Sequence, residues 1–388
     1  MTHSDEKRLR VVGLFAGIGG IELGLEGAGH RSSLLCEIDS AAALVLAHRF
    51  PLVPVVSDVR DLAELPAADL VVAGFPCQDL SQAGRTAGIR GRHSGLVGEV
   101  FRLVETAPIR WLLLENVPFM LQLDRGRAMR YLTTSLERLG FRWAYRVVDA
   151  RAFGIPQRRR RVLLLASRDE DPRPPLLGQD SADPGEPAGQ GRACGFYWTE
   201  GTRGFGWAND AIPTLKGGSA VGIPSPPAIR MPDGRIVLPE IRDAERLQGF
   251  PADWTIAAAG HGRRGTVRWK LVGNAVSVPV AQWIGERLTV TATYDPSEDG
   301  VIVEGAPWPA AAWGDGEAHR AEVSQRPVRL PYSHLADFLR YETTPLSTRA
   351  TLGFLRRARA STLRFPEGFL ADVEAHLKDT IEYDPLAA

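Results

Sequence analysis

Residues able to do chemistry fall just past apolar runs in this sequence. Cys77 lies in Gly74-Phe75-Pro76-Cys77-Gln78, directly after Asp69–Ala73. That run reads as a buried strand, which Gly74 and Pro76 then break. Cys77 thus stands beyond a strand's C-terminal end, where open parallel α/β sheets gather ligands. A thiol there is a nucleophile once ionised, whereas most free cysteines only fill space. Glu115 holds the same place after Trp111–Leu114, followed by Asn116-Val117-Pro118. If the two strands are neighbours, thiol and carboxyl share a crevice. A partly buried carboxyl with a raised pKa would then serve as a proton donor. The densest basic run, Gln157-Arg-Arg-Arg-Arg161, lies between two further core strands, Phe141–Val148 and Val162–Ala166. Its place points it at an anion such as a phosphate.

The elements that must position these residues start at strand Arg10–Phe15. A glycine loop, Ala16-Gly17-Ile18-Gly19-Gly20, and a helix closed by Gly27 and Gly29 follow. Glycines let the backbone approach a ligand, and a helix start offers free N–H groups. The spacing is not Gly-x-Gly-x-x-Gly, which argues against a dinucleotide. A second strand ends at Glu37, whose carboxylate can accept both hydrogen bonds of a ribose diol. Asp39 caps a helix through Phe50. Strand Val53–Val56 then leads to Asp58, either a turn residue or an acceptor for an adenine amino group. Between Gln78 and Ser94 the chain is rich in Gly, Arg and Ser and reads as a functional loop. Leu96–Thr106 and Arg127–Leu139 read as helices.

With 388 residues, 44% hydrophobic and 24% charged, the chain is long enough for two domains or one with an extension. Zero net charge excludes a uniformly basic coat but not a local basic face. With no run of 18 apolar residues and a polar start, neither a membrane span nor a signal peptide is expected. Cys36, Cys77 and Cys194 form neither a disulfide framework nor a zinc spacing, so a reducing, cytoplasmic setting is expected. From 169 to 238 the periodicity is lost and Pro, Gly and aromatics interleave, as in a small irregular β module. Pro239–Gly249 and Pro279–Leu288 read as helices, 295–300 as a linker, and 333–341, 347–360 and 366–377 as short helices.

Taken together, these stretches resemble the bacterial-type cytosine-5 DNA methyltransferase family, over about residues 10 to 290. Phe15-Ala-Gly-Ile-Gly-Gly20, Pro76-Cys-Gln78, Glu115-Asn-Val117, Gln157-x-Arg159-x-Arg161, Leu247-Gln-Gly-Phe-Pro251 and Gly273-Asn-Ala-Val276 match its motifs in its order. Gly13 is a departure, standing where members often carry an acidic or small polar residue. The resemblance implies an α/β, Rossmann-like, S-adenosyl-L-methionine-dependent methyltransferase domain, with a small irregular β-rich target recognition domain and a C-terminal helical extension. It implies domains at 8–168 (catalytic, cofactor-binding), 169–238 (target recognition) and 239–292 (return to the catalytic domain). Residues 301–388 form an extension without an assigned role.

The implied reaction transfers a methyl group to C5 of a cytosine flipped out of a specific duplex DNA sequence. Cys77 would attack C6, with Glu115, Arg159 and Arg161 as the other catalytic residues. Phe15, Ala16, Gly17, Gly19, Gly20, Glu37, Ile38, Asp58, Val59, Pro76, Asn274, Ala275 and Val276 would hold S-adenosyl-L-methionine, without a metal. Gln78, Ser81, Gln82, Arg85, Arg92 and Thr214 would touch DNA. Loop 78–94 would close over the flipped base. Arg192, Arg203, Asn209 and the nearby aromatics are candidates for base readout, and Arg349, Arg356, Arg357 and Arg359 for phosphate contact or a solvated helix face. A bacterial cytoplasmic monomer, acting on double-stranded DNA within a restriction-modification or phage-defence system, is expected. An RNA cytosine-5 methyltransferase and a catalytically degenerate DNA-binding regulator are the alternatives. The joint presence of Cys77, Glu115, Arg159 and Arg161 speaks against the regulator.

Overall fold

A computed structural model describes residues 8–76, 95–219, 225–261 and 266–383. The chain divides into two compact units, each made of several chain segments. The first holds residues up to 153, 160–183 and 276–329; the second holds 154–159, 184–275 and 330 onward.

The first unit is built on a ten-stranded sheet. Its strands are β1 (Arg10–Leu14), β2 (Arg31–Cys36), β3 (Val55–Val56), β4 (Leu70–Ala73), β5 (Trp111–Asn116), β6 (Arg142–Asp149), β7 (Arg160–Ser167), β8 (Gly300–Val301), β9 (Ala311–Gly314) and β10 (Ala318–Arg320). Their order across the sheet is β8-β10-β9-β6-β7-β5-β4-β1-β2-β3. β3, β2, β1, β4 and β5 run parallel, and β7 is antiparallel to β5. β4 and β5 are buried along their whole length, as the apolar runs Leu70–Ala73 and Trp111–Leu114 in a covered parallel sheet must be. The chain leaves β1 toward β2 on one side and toward β4 on the other. That reversal opens a crevice at the C-terminal ends of β1 and β4.

Helices α1 (Gly20–Gly27), α2 (Ser40–Arg49), α3 (Leu96–Thr106), α4 (Arg127–Arg138), α5 (Arg173–Leu177) and α6 (Val278–Thr289) cover this sheet. As expected, Asp39 caps α2, accepting from the N–H groups of Ala41 and Ala42. α1 lies close on α6: a Cβ at Gly24 would sit 2.5 Å from the carbonyl oxygen of Val278.

The second unit carries a five-stranded antiparallel sheet of short strands. They follow one another across it as Ala208–Asn209, Cys194–Phe196, Ala228–Arg230, Ile236–Leu238 and Thr344–Pro345. Gln157–Arg158 pairs separately with Ile212–Pro213. Helices Thr348–Arg359 and Phe369–Tyr383 close the core with Phe354 and Phe369, which meet Phe196 at ring-centroid distances of 5.1 and 4.9 Å.

Three expectations need correction here. Residues beyond 300 are not an extension apart from the core. β8–β10 lengthen the main sheet past β6, and the later helices complete the second unit. The buried Arg146 guanidinium fastens the first of these pieces, donating to the carbonyls of Ser324 (2.8 Å) and Gln179 (2.5 Å) and pairing with Asp180. Second, the stretch before Val276 is a helix, Thr266–Asn274, to which the sequence assigned no element. Third, the helix expected over 333–341 shrinks to one turn, Leu335–Phe338. The compact units also part the chain elsewhere than the expected domain limits, since residues 239–275 fall in the second unit. Among the described residues no helix is long and apolar enough to cross a membrane.

Candidate active site

The ends of three neighbouring parallel strands in the first unit supply the candidate site. After β1 the chain turns through left-handed backbone at Phe15 (φ 56°), Gly17 (φ 57°) and Gly19 (φ 81°). Ala16 N–H donates to the carbonyl of Cys36 at 3.0 Å, tying the loop to the end of β2. Gly17 N–H donates to Glu37 Oε2 at 2.7 Å, and Asp39 N–H to Oε1 at 2.7 Å. Glu37 is therefore fixed by one bond to each oxygen, which leaves further lone pairs for a diol. Burial pushes its pKa up, while these two main-chain bonds oppose the rise. Beside it Ile38 is 67% exposed, an apolar side chain held in water at the crevice rim.

Asp58 stands after β3. Its carboxylate accepts from Arg60 Nε at 3.0 and 3.1 Å and from the Arg60 N–H at 3.0 Å. These bonds to Arg60 bring its pKa down to about 2. Asp58 is thus an anion held by a neighbour and capping the short turn Val59–Asp61; Val59 is buried in that turn.

β4 and β5 deliver the next pieces. A Cβ at Gly74 would lie 3.5 Å from Glu115 Oε2 and 3.9 Å from the carbonyl oxygen of Phe15. The three strand ends therefore meet around Gly74. Asn116 Nδ2 donates to the carbonyl of Phe75 at 2.9 Å, and Asn116 Oδ1 accepts from Val117 N–H at 2.8 Å. This buried amide pins the turn that carries exposed Pro76. Cys77, Gln78, Ser81, Gln82, Arg85 and Arg92 lie outside the described residues. The other two thiols are unsuited to attack: both are buried, and burial pushes Cys36 up to about 11 and raises Cys194.

Glu115, 7% exposed, is paired with Arg161, whose Nε lies 2.9 Å from Oε1. Arg161 comes from the start of β7, which runs antiparallel beside β5. The last arginine of the basic run thus faces a carboxylate of the protein itself.

Within the second unit, Arg159 is buried and donates to the carbonyls of Leu215 (3.0 Å) and Ala275. Gln157 Nε2 donates to the Leu247 carbonyl at 2.6 Å, and its Oε1 accepts from Leu215 N–H at 2.9 Å. Gln248 Nε2 donates to the Val272 carbonyl at 2.8 Å. Four stretches that the sequence marked separately are thus one buried polar clasp. In it the Arg159 guanidinium is turned to main-chain carbonyls. Asn274 is exposed beyond the clasp, and Ala275 is buried and Val276 half-buried. Thr214, half-buried, donates its hydroxyl to the Arg158 carbonyl at 2.7 Å.

The aromatics offered for base readout are mostly core. Phe196 and Phe205 are buried, Trp207 lies on Phe369 with centroids 4.9 Å apart, and Asn209 Oδ1 accepts from Trp207 Nε1 at 2.6 Å. Arg203 is exposed and Arg192 half-buried. Arg357 donates to the carbonyls of Glu200 (2.9 Å) and Trp198 (2.7 Å), and Arg359 pairs with Glu374 at 2.7 Å, while Arg349 and Arg356 face solvent. Sequence reasoning assigned no role to Asn116, Gln157 and Gln248, although all three stand inside the quoted motifs.

The model of the C-5 cytosine-specific DNA methylase family matches residues 9–185 and 237–289. Type II methyltransferase M2.BsuMI of Bacillus subtilis (strain 168) is 48% identical over 380 residues, covering 94% of this chain and 97% of that protein. Type II methyltransferase M.MspI of Moraxella sp is 28% identical over 316 residues, covering 75% and 74%. A solved structure of Spodoptera frugiperda DNMT2 superposes with a TM-score of 0.47 at 14% identity, covering 72% of this chain and 99% of the other.

Proposed function

The chain belongs to the C-5 cytosine-specific DNA methylase family, and from that premise we propose how its residues transfer a methyl group to DNA. The enzyme is a DNA (cytosine-5-)-methyltransferase. The meeting of Phe15, Gly74 and Glu115 around one point carries the residue assignment.

S-adenosyl-L-methionine is the donor, and when bound it supplies an electrophilic methyl group on a sulfonium. The left-handed loop Phe15–Gly20 offers it main-chain N–H groups. The tethered Glu37 takes the ribose diol, and exposed Ile38 gives the adenine an apolar surface. Asp58 and Val59 complete the adenine end, and Pro76 borders the methyl end; Asn274, Ala275 and Val276 are the remaining contacts.

Cytosine C5 is a weak nucleophile. Cys77, as thiolate, adds to C6 and makes C5 electron-rich. Negative charge then grows on N3 and O2 of the ring. Glu115 hydrogen-bonds N3 and the exocyclic amine, and Arg161, already at 2.9 Å from Glu115, neutralises the site and reaches O2. Once C5 is methylated, its proton leaves to a base and the C6–S bond breaks, which restores both the aromatic ring and the thiolate. Asn116 keeps the Phe75–Pro76 turn in place for this attack. Arg159 supports the same pocket through the clasp.

Target reading belongs to the β module within 169–238, with Arg192, Arg203 and Thr214 as side chains for DNA. Gln78, Ser81, Gln82, Arg85 and Arg92 act from the loop that closes on the flipped base. The biological setting is a restriction-modification or related defence system, with the enzyme acting as a cytoplasmic monomer.

Labelled S-adenosyl-L-methionine with duplex DNA should label cytosine C5, and a duplex carrying 5-fluorocytosine at the target should trap a covalent adduct through Cys77. Label on RNA alone, or an adduct that survives Cys77→Ala, overturns the reading. Bisulfite sequencing of DNA from expressing cells then gives the target sequence.

A further inference from the structure

Glu22 stands in the first turn of α1, directly after the glycine loop, and is 1% exposed. Neither of its carboxyl oxygens has a hydrogen-bond partner among the described residues. Oε1 occupies the space over Gly13 of β1, where a built Cβ would come within 2.2 Å of it. Leu35 of β2 closes the other side, 3.1 Å from the same point. The carboxyl is thus lodged between β1, β2 and α1, at the root of the Phe15–Gly20 loop. The charged groups acting on it are Glu26, one turn further along α1, and Glu37 at the end of β2, both acidic. Burial pushes its pKa up to about 8, its own main-chain N–H opposing and the two glutamates adding to the rise.

A buried carboxyl without a partner costs stability, so the fold carries it at a loss. A cation arriving beside it would supply the missing partner. Under the reading given above, the loop receives such a cation, because the donor carries a sulfonium. After methyl transfer the same sulfur is a neutral thioether, whereas the ammonium and carboxylate of its amino-acid end are unchanged.

We propose that Glu22 senses the charge of the methyl donor: it gives up its proton to solvent when the sulfonium occupies the glycine loop, and takes one back when the neutral product remains. A nearby positive charge favours the ionised carboxyl, and its loss favours the neutral one. Glu22 in this way strengthens donor over product and eases product release. It is a positioning residue for the donor's charge and takes no part in bond making. The proposal rests on the donor assignment made under Proposed function.

The test is isothermal titration calorimetry of the full chain with S-adenosylmethionine and with S-adenosylhomocysteine, each in two buffers of different ionisation enthalpy. Wild type and Glu22→Gln are compared, so that the titration of the ligands' own amino groups cancels. The expected result is more proton release for donor than for product in wild type at pH 7.5, with that excess absent in the variant. The donor-to-product affinity ratio should rise about fivefold from pH 6.5 to 8.5 in wild type and less in the variant. Equal proton release in both proteins, with both ligands bound, overturns the proposal and leaves the donor assignment standing. Binding of neither ligand to wild type overturns the donor assignment itself. Product affinity unchanged by the substitution shows that the variant is folded; Glu22→Met, which keeps the volume, serves if Gln does not fold.

Discussion

Arg161 Nε stands 2.9 Å from Glu115 Oε1, joining the first residues of β7 to the last of β5 across two antiparallel strands. Both side chains are largely withdrawn from water. Removing Arg161 takes the cationic partner from a buried carboxylate, which costs about 3 kcal/mol. Arg161→Ala should lower the melting temperature and reduce single-turnover methylation by at least about 100-fold. Glu115→Gln should cost a similar factor in rate with much less loss of stability. Donor affinity within twofold of wild type in Glu115→Gln would confirm that the pair serves the base. A tenfold loss of donor affinity would count against it.

Asn116 offers a second test, because its amide spans Phe75 and Val117 without any charge. Asn116→Ala loses two hydrogen bonds, one buried and one partly so, worth roughly 1–3 kcal/mol together. The rate of adduct formation with a 5-fluorocytosine duplex should fall, while donor affinity stays near the wild-type value. An unchanged adduct rate would show that the turn holds its position without this amide.

Glu22 links stability to pH. Its pKa in the folded protein, about 8, lies above its ordinary 4.5. Stability linked to it is therefore complete below about pH 4.5 and is lost as pH rises through about 8. Glu22→Gln removes that dependence. Its melting temperature, relative to wild type, should climb steadily from pH 5 to pH 8.5 in differential scanning calorimetry. Parallel curves for the two proteins would show that Glu22 does not change protonation in this range.

Gly217 and Gly273 separate two ways of disturbing the clasp. A Cβ at Gly273 would lie 2.2 Å from the carbonyl carbon of Lys216, a main-chain atom. A Cβ at Gly217 would lie 2.0 Å from Asn274 Oδ1, the end of an exposed side chain that can rotate away. Gly273→Ala should therefore lower the melting temperature by several degrees, on the scale of a 1–3 kcal/mol overpacking cost. Gly217→Ala should be milder in stability and act mainly on donor affinity, through Asn274.

The strand ends were legible because Leu70–Ala73 and Trp111–Leu114 are unbroken apolar runs, each with a proline and a reactive side chain within the next few residues. The glycine loop was legible because the left-handed turns at Gly17 and Gly19 demand glycine. Glu22 was not: an acid in a helix's first turn ordinarily reads as a solvated partner for the helix dipole, and only the bare Gly13 opposite reveals its burial. Ala311–Gly314 and Ala318–Arg320 were missed because runs of four and three residues are too short to show a period. Phe196 and Phe205 were readable as apolar, but their partners Phe354 and Phe369 come from a part of the chain that carried no motif.

The interleaving of the two units bears on synthesis at the ribosome. Tyr145 of β6 meets Pro309, 164 residues later, and Phe196 waits for Phe369. While the chain is being made, β6 has only β7 beside it, and the aromatic faces of the second unit stay wet. Neither unit can close as it emerges, in contrast to domains that fold in turn from the N-terminus. The sheet edge at β6 stays open until residues 300–320 have emerged, and the aromatic surface stays uncovered until Phe369 has, and both invite wrong pairing. Slow elongation, which helps many multidomain proteins, would prolong that exposure here.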